Sequence, residues 1–472
     1  MTKQLNIHWF RQDLRLADNP ALNEAVKSGK VLPIYILDDQ NAKDFKLGSA
    51  SRWWLHQSLS KLNESLCGTL RFYKGDAKTI VKELCSRFNI TDVYWNRCYE
   101  PWRIARDKEI KSQLLTMGVT ATSFDGALLF EPWSVTKKDG TPYKIFTPYY
   151  RKICSMIHPA DPIVPPSPSY VAPTSKDNSL HLRELQLMPD IPWCDSLTPC
   201  WQPGEQGAHT ATQKFLTNGL QGYKTGRDYP ANHHVSRLSP HLHFGEISPI
   251  QVLSQTSMVS GDGNLEHFKR ELVWREFSYY LLFHWPKLPS KNLNKSFDHF
   301  PWQPNSQWLK RWQHGLTGHP FVDAGMRELW QTGFMHNRVR MIAASFLVKN
   351  LLQDWRHGAA WFWDCLVDAD LASNSASWQW VAGCGTDAAP YFRVFNPTIQ
   401  GEKFDATGQY TRRFLPELKH LPNQYLFKPW QAPKEVLKKA GIELDLNYPL
   451  PIVDLKESRQ IALDAFKLSL TR

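Results

Sequence analysis

The sequence predicts an α/β N-terminal domain on a parallel, five-stranded Rossmann-like sheet, then a long linker, then an all-α C-terminal domain. Three observations carry this prediction. Short β-prone runs alternate with longer segments of helical period over the first part of the chain. Six prolines then fall between Pro159 and Pro173, where neither a helix nor a central strand could hold them. Beyond Gly207 the apolar spacing is helical almost throughout.

The strands are expected at Leu5–Phe10, Val31–Leu37, Thr69–Tyr73, Asp92–Asn96 and Thr120–Phe124, with helices at Ala50–Leu66, Ala77–Phe88 and Trp102–Met117 between them. No Gly-x-Gly-x-x-Gly follows the first strand, so an ordinary dinucleotide fingerprint is absent. The linker, with one short helix near His181–Leu187, runs on to about Gly207, which gives domains at 1–130 and 207–472 and a linker at 131–206. Gly261-Asp-Gly-Asn264 reads as a turn that caps a helix over Leu265–His284, which stops before Pro286. Further helices are expected at Val322–Gln331, His336–Leu352, Ala359–Asp364, Lys434–Ala440 and Ile452–Arg472.

At 472 residues, 42% of them hydrophobic, the chain can bury two or three cores. The net charge of +11 favours an anionic partner, nucleic acid before a membrane surface. Tryptophan is over-used, at 20 residues, for core packing or for stacking on a planar cofactor or bases. None of the 8 cysteines pairs at the spacing of a zinc knuckle or redox motif, so no metal site is expected and the thiols suit a reducing compartment. The start, Met1-Thr-Lys-Gln, carries no apolar signal run, and no stretch nears the ~18 apolar residues of a membrane span. A soluble, cytoplasmic protein is expected.

Four segments carry chemistry. Asp368-Ala-Asp-Leu-Ala-Ser-Asn374-Ser-Ala-Ser-Trp378-Gln-Trp380 sets two carboxylates, an amide and two indoles among small residues, so a flat, bulky group could lie close to the backbone. On a helix Glu271, Trp274 and Arg275 share one face, an acid, an indole and a guanidinium. Asn337, Arg340 and Met341 do the same, and Asn337 offers both a donor and an acceptor to a base or ring edge. Ser236-Arg237-Leu-Ser239-Pro240 suits a pyrophosphate. Singly, each is better read as plain structure: an exposed ion pair beside a packed indole, a mixed helix surface, or a helix cap.

Together, in this order, these segments resemble the DNA photolyase/cryptochrome family. Trp9-Phe-Arg11-Gln-Asp13-Leu-Arg15-Leu-x-Asp18-Asn19 is similar to its N-terminal opening. Thr317-Gly-His-Pro320-Phe-Val-Asp323-Ala-Gly-Met-Arg327, Asn337–Met341, Asp368–Trp380 and Gly385-Thr-Asp-Ala-Ala-Pro390-Tyr-Phe-Arg393-Val-Phe-Asn396-Pro397 are similar to its C-terminal half. The likeness runs from Ile7 to about Leu418.

The resemblance implies that the all-α domain binds FAD. Tyr223, Ser236, Arg237, Leu238 and Ser239 would contact the phosphate side. Asn337, Arg340, Asp368, Asp370 and Asn374 would surround the flavin ring, with Arg340 and Asp368 as a buried ion pair and Asn374 facing N5. Excited reduced flavin would lend one electron to a cyclobutane pyrimidine dimer, and the ring would open. Glu271, Trp274, Asn337, Met341 and Trp380 would form the catalytic pocket, with Arg275 and Arg338 as further DNA contacts. Trp302, Trp355 and Trp378 match the family's electron-carrying triad. A monomer acting on UV-damaged DNA is implied, with no membrane partner.

Within the family, six-four photolyases usually carry His-His where this chain has His336-Asn337, and plant cryptochromes tend to lose the pocket acid and an indole that Glu271, Trp274 and Trp380 supply here. Dimer repair of the class I or class III kind is therefore expected, with a blue-light cryptochrome and a six-four enzyme as alternatives. Val235 and Phe268 depart from the family pattern, which more often has Thr and Trp. Tyr99-Glu100-Pro101-Trp102-Arg103 differs from the folate-binding antenna motif, which leaves folate, deazaflavin, flavin or no second chromophore open, and Trp102 could stack on one or simply pack.

Overall fold

The computed structural model describes residues 5–157, 161–167, 171, 178–189, 192–257, 259, 263–387 and 392–470. Pro159, Pro168 and Pro173 of the expected linker, the first half of the turn at Gly261, residues 388–391 of the Gly385–Pro397 block and the last two residues of the expected final helix lie outside these. By internal contacts the chain forms two compact units. One comprises Met1–Gln221, Ser236–Pro286 and Val367–Ala372, the other Gly222–Val235, Lys287–Leu366 and Ser373–Arg472.

The first unit holds the sheet. Strands β1 (Leu5–Phe10), β2 (Lys30–Leu37), β3 (Arg71–Lys74), β4 (Asp92–Asn96) and β5 (Thr120–Phe124) are all parallel, in the order β3-β2-β1-β4-β5. Both faces are buried, as a parallel sheet requires. Ile7, Trp9, Ile34, Ile36, Val93 and Trp95 pack on one side, and Phe10, Val31, Tyr35, Leu37 and Tyr94 on the other. Crossovers are made by α1 (Pro20–Ser28), α2 (Ser49–Ser65), α3 (Ala77–Phe88) and α4 (Pro101–Thr116). Helix α1 was not expected. Asn19 caps it by accepting from the Leu22 amide at 3.0 Å, and Pro20 occupies its first turn. The linker meets the sheet at isolated bridges of Val171 to Val31 and Leu180 to Phe72. Its expected short helix is a 3-10 turn, Leu182–Leu185.

The same unit holds α5 (Phe146–Cys154), α6 (Ser239–His243) and α7 (Gly263–His284). The sequence boundaries at 130 and 206 therefore differ from the compact units, because α6 and α7 are bonded into the sheet's unit. Arg15, fully buried, donates to the carbonyls of Gly126 at 2.7 Å and Gly245 at 3.0 Å. Leu14 N donates to Phe244 O at 3.1 Å. Gly245 has φ +66°, and a Cβ there would stand 2.1 Å from the Gln12 carbonyl oxygen, so only glycine allows this approach. Tyr280 OH donates to Val135 O at 2.8 Å. The Trp9–Asn19 opening is thus a clasp between the strand ends and the α6 corner.

The second unit is helical. It contains α8 (Pro320–Thr332), α9 (Asn337–Ser345), α10 (Trp355–Cys365), most of α11 (Leu371–Ala382) and α12 (Leu455–Leu470). The expected helix over His336–Leu352 ends at Ser345 and runs into a π-turn, Phe346–Asn350, where Leu351 N reaches Phe346 O at 3.0 Å. Helix α10 begins four residues before the expected Ala359, because Asp354 caps it by accepting from Arg356 N at 2.9 Å. Asp323 of the Thr317–Arg327 segment is fully buried. It accepts from Thr317 N at 2.7 Å, Thr317 Oγ1 at 2.7 Å, Gly318 N at 3.0 Å and Tyr448 OH at 2.9 Å, so this motif is a structural latch. Among the described residues no helix is long and apolar enough to cross a membrane.

Candidate active site

In the first unit the site is built on α6 and the segment before α11. Ser239 opens α6, and its hydroxyl donates to Asp368 Oδ2 at 2.6 Å. The Ser239 hydroxyl, expected on phosphate, is therefore committed to a carboxylate. Asp370 accepts from Tyr279 OH and lies 3.3 Å from His243 Nδ1. Burial would raise the Asp370 pKa, but the His243 and Tyr279 bonds and the charge of Arg275 outweigh it and hold the carboxyl well below its ordinary range. His243 and Tyr279 were not singled out from sequence. Nothing local marks them, since Asp370 lies far along the chain from both.

The Arg237 backbone is left-handed at φ +55°, uncommon for a residue with a Cβ. Its guanidinium lies 4.0 Å from the Trp201 ring centroid. Leu238 is buried, and Ser236 Oγ accepts from Leu238 N at 3.4 Å. Arg275, expected at the DNA face, is instead turned inward. It donates to Ala127 O at 2.8 Å and Leu242 O at 3.3 Å, and its guanidinium lies over Tyr279. The helical period that grouped it with Glu271 and Trp274 is correct, but the α6 corner captures its donors. Glu271 and Trp274 are half-buried, and Trp274 stacks on Phe146 with ring centroids 3.6 Å apart.

In the second unit Asn337 is exposed at the start of α9, capped by His336, and Met341 is half-buried one turn on. Arg340 donates to Met335 O at 2.7 Å. Arg338, expected in the lesion pocket, donates to Asp228 at 2.6 Å and lies over Phe404. Tyr223 is buried under Arg227, whose guanidinium is 5.4 Å from its ring. Asn374 Nδ2 donates to Ala359 O at 3.0 Å. That fixes the amide so that Oδ1, an acceptor, is the end left to present. Trp380 is half-buried, with Nε1 donating to Asp387 O at 3.0 Å.

The three expected relay indoles all lie in this unit. Trp378 packs directly on α10, since a Cβ on Gly358 would stand 2.1 Å from its Cη2. Trp355 sits one turn earlier on the same helix, fully buried. Trp302 is half-buried, on a segment pinned to the residues just before Trp355 by Gln303 N to Leu352 O at 2.8 Å and Gln353 Nε2 to Gln303 O at 2.6 Å.

Phe268, where an indole is more common, is buried against Phe215 at 4.6 Å. Trp102 packs against the chain's own cations, with Arg103 and Arg106 at 4.6 and 5.1 Å from its ring. Among the described residues no cluster of His, Cys, Asp and Glu could hold a metal ion.

Buried acids beneath the α7 face give a pH dependence. Burial pushes Glu276 up to about 8, against partial offset by Arg275 and the Leu129 amide, which donates to it at 2.8 Å. Asp125 is raised to about 6 by burial and by Glu131. A carboxyl whose folded pKa is raised stabilises fully below its ordinary value, here 4.5 for Glu276, and the contribution is lost as pH rises through about 8. Stability should fall by a few kcal/mol across that window, since each pH unit between the unfolded and folded values is worth roughly 1.4 kcal/mol. Urea denaturation midpoints at either end of the window check this. Glu276→Gln should flatten the decline, and an unchanged slope in that variant would assign the dependence elsewhere.

The donor set fits FAD. His243 is buried and its Nε2 has no hydrogen-bond partner among the described residues, so a polar atom from outside the protein has a place there. Each unit offers polar groups of the kind a flat heterocycle binds: the first an ionised buried carboxylate at Asp370, the second an oriented amide at Asn374. An α/β sheet unit and a helical unit carrying this set define a two-part flavin-binding protein.

Comparison with known proteins agrees. Residues 6–169 match the family model described as DNA photolyase, and residues 268–468 match the FAD binding domain of DNA photolyase. The chain is 49% identical to the deoxyribodipyrimidine photo-lyase of Agrobacterium fabrum, over 98% of this chain and 97% of that one. It is 37% identical to cryptochrome-1 of Arabidopsis thaliana, covering 96% of this chain and 69% of that protein. The structure of a bacterial class III photolyase from Agrobacterium tumefaciens superposes with a TM-score of 0.96 at 48% identity, covering 100% of this chain and 99% of that one. The chain belongs to the DNA photolyase/cryptochrome family, and its helical half is that family's FAD-binding domain.

Proposed function

We propose that this chain is a light-driven DNA repair enzyme that splits cyclobutane pyrimidine dimers in UV-damaged DNA, with FAD as its cofactor. The observation that carries this is the 49% identity, over nearly the whole of both chains, to a relative named deoxyribodipyrimidine photo-lyase. The retained Glu271, Trp274 and Trp380 support it over signalling. A photoreceptor role is the second reading, favoured by the 37% identity to a plant cryptochrome.

When bound, reduced FAD supplies the excited electron that opens the cyclobutane ring and recovers it afterwards. The chain's residues place and tune. Tyr223, Ser236, Arg237 and Leu238 would hold the phosphate side. Asn337, Arg340, Asp368 and Asp370 would set the field around the ring, and Ser239 would act by holding Asp368. Asn374 would offer Oδ1 to a protonated ring nitrogen. Glu271 would bond a pyrimidine edge and so orient the lesion. Trp274 and Trp380 would be aromatic walls, with Asn337, Arg338 and Met341 beside them. Arg275 leaves the DNA-facing set. Enzymes that act on a base, photolyases among them, take it out of the stack, and a damaged pair is weakly held. We further propose a cytoplasmic monomer and a second, light-collecting chromophore.

An oligonucleotide with one cyclobutane dimer, incubated with the reduced holoprotein, tests the proposal. Reversal under blue light and none in darkness is expected. A dimer untouched by light would end it, and reversal of a six-four lesion instead would move the chain to the other repair branch.

A further inference from the structure

The middle relay indole has a feature that the proposed function does not use. Trp355 is fully buried, and its Nε1–H donates to Asn292 Oδ1 at 2.9 Å. The amide cannot turn over, because its Nδ2 donates to Asp298 Oδ1 at 2.8 Å. Asn292 is itself buried, while Asp298 is exposed. The bonded acceptor is thus a neutral amide, with a carboxylate one hydrogen bond further out. Elsewhere the chain makes the other choice. Trp54 Nε1, outside the relay, donates directly to the Glu246 carboxylate at 2.9 Å.

The distinction matters because removing one electron from an indole makes its N–H strongly acidic. A carboxylate in hydrogen-bond contact takes that proton, and the hole is then fixed on that ring as a neutral radical. A primary amide oxygen is far too weak a base to do so. The cation facing the ring adds no net charge. Arg356 lies 4.6 Å from the Trp355 centroid but is paired with Asp354 at 2.9 Å.

We propose that Asn292 satisfies the Trp355 N–H with a neutral acceptor in place of a base, so that the proton stays on the indole and the hole passes through Trp355 without being trapped. The inference rests on the relay reading of Trp302, Trp355 and Trp378. The balance is one electron in one direction. A photo-excited oxidised flavin is the oxidant and takes an electron from Trp378. Trp378 is refilled from Trp355, and Trp355 from Trp302. Trp355 ends as it began, with its N–H intact. Trp302, half-buried, loses the electron and releases its N–H proton to water. An external thiol restores it.

Transient absorption of the oxidised-flavin holoprotein after a laser flash, in light and heavy water, reads the indole radicals directly. In the unaltered protein the Trp355 radical should be seen only in its protonated form. Its decay into the Trp302 radical should show no solvent isotope effect. Asn292→Asp should convert Trp355 to the neutral radical with an isotope effect, and the Trp302 radical phase should be lost. Asn292→Leu, which removes the acceptor without adding a base, should keep the protonated form and the hop to Trp302. It also controls for misfolding of the charged variant. Wild-type kinetics in Asn292→Asp, or a neutral Trp355 radical in the unaltered protein, would overturn the inference. Trp355→Phe separates the two levels. If it still yields the Trp302 radical in full, the relay reading itself has failed. If it abolishes that radical while Asn292→Asp does not, only the role of Asn292 has.

Discussion

Glu246→Ala is expected to destabilise the sheet-bearing unit by about 3–5 kcal/mol, the scale for removing one partner from a buried polar network. The Glu246 carboxylate is fully buried. Its Oε1 accepts from Trp54 Nε1 at 2.9 Å and from Gly204 N at 2.8 Å, and its Oε2 bonds His241 Nδ1. Alanine leaves all these groups buried with no partner and opens a cavity beside Trp54, which packs on Trp201, His241 and Phe244. The loss is a large share of the roughly 5–15 kcal/mol that holds a typical domain together. The damage falls on α6, whose Ser239 and His243 hold Asp368 and Asp370, so flavin retention should fall with stability. Glu246→Gln is the informative contrast. Its Oε1 keeps both the Trp54 and Gly204 bonds, and only the His241 bond must be rebuilt, so about 1 kcal/mol is expected. Urea denaturation followed by far-UV circular dichroism measures all three proteins, with flavin absorbance read on the same samples. An alanine variant as stable as the parent would show that the network is incidental.

Glu246 illustrates what the sequence hides. It sits in Phe244-Gly-Glu-Ile, a run that reads as an ordinary turn, and its donors come from positions 54, 204 and 241. Arg237 and Trp201, or Asp370 and Tyr279, are equally remote in sequence. Periodicity reports which face a residue occupies but not what another segment brings to that face. Arg275 shows the same limit. Its helix face was legible, while the carbonyls of Ala127 and Leu242 that absorb its donors were not.

The parts that were legible are those set by local chemistry. Strands at Leu5–Phe10, Asp92–Asn96 and Thr120–Phe124 fall where β-prone runs meet turn residues. The helix starts at Asn19-Pro20 and Asp354 were missed, although each is a capping side chain ahead of a helical run. The π-turn after Ser345 was not readable. Only the Leu351 to Phe346 bond reveals it. The flavin-side set was proposed for a different reason. Acid, amide and indole residues separated by Ala and Ser in Asp368–Trp380 resemble the family's segment, and their roles rest on that resemblance.

Trp274→Ala should weaken binding of a dimer-containing oligonucleotide by about 5- to 150-fold, from roughly 1–3 kcal/mol for one base stacked on one aromatic ring. The proposed wall is backed on one side by other rings. One face of Trp274 lies on Phe146 with planes 6° apart, and Phe277 meets it edge-on at 5.9 Å. An indole held so on one side loses little rotamer freedom when a pyrimidine takes the other. Trp274→Phe keeps a π-face and should lose only part of the affinity. Phe146→Leu removes the support without removing the wall, and should cost less again. Anisotropy titrations in darkness, at one fixed salt concentration, compare the variants, because phosphate contacts vary steeply with salt. Undamaged oligonucleotide serves as the reference. Those contacts carry no lesion information, so its affinity should not move. Losing Trp274 also uncovers Phe146, at about 0.5–1.5 kcal/mol of stacking, which thermal melts of the same samples will report separately. Equal losses of affinity for damaged and undamaged strands would place Trp274 in the general DNA surface and remove it from the lesion clamp.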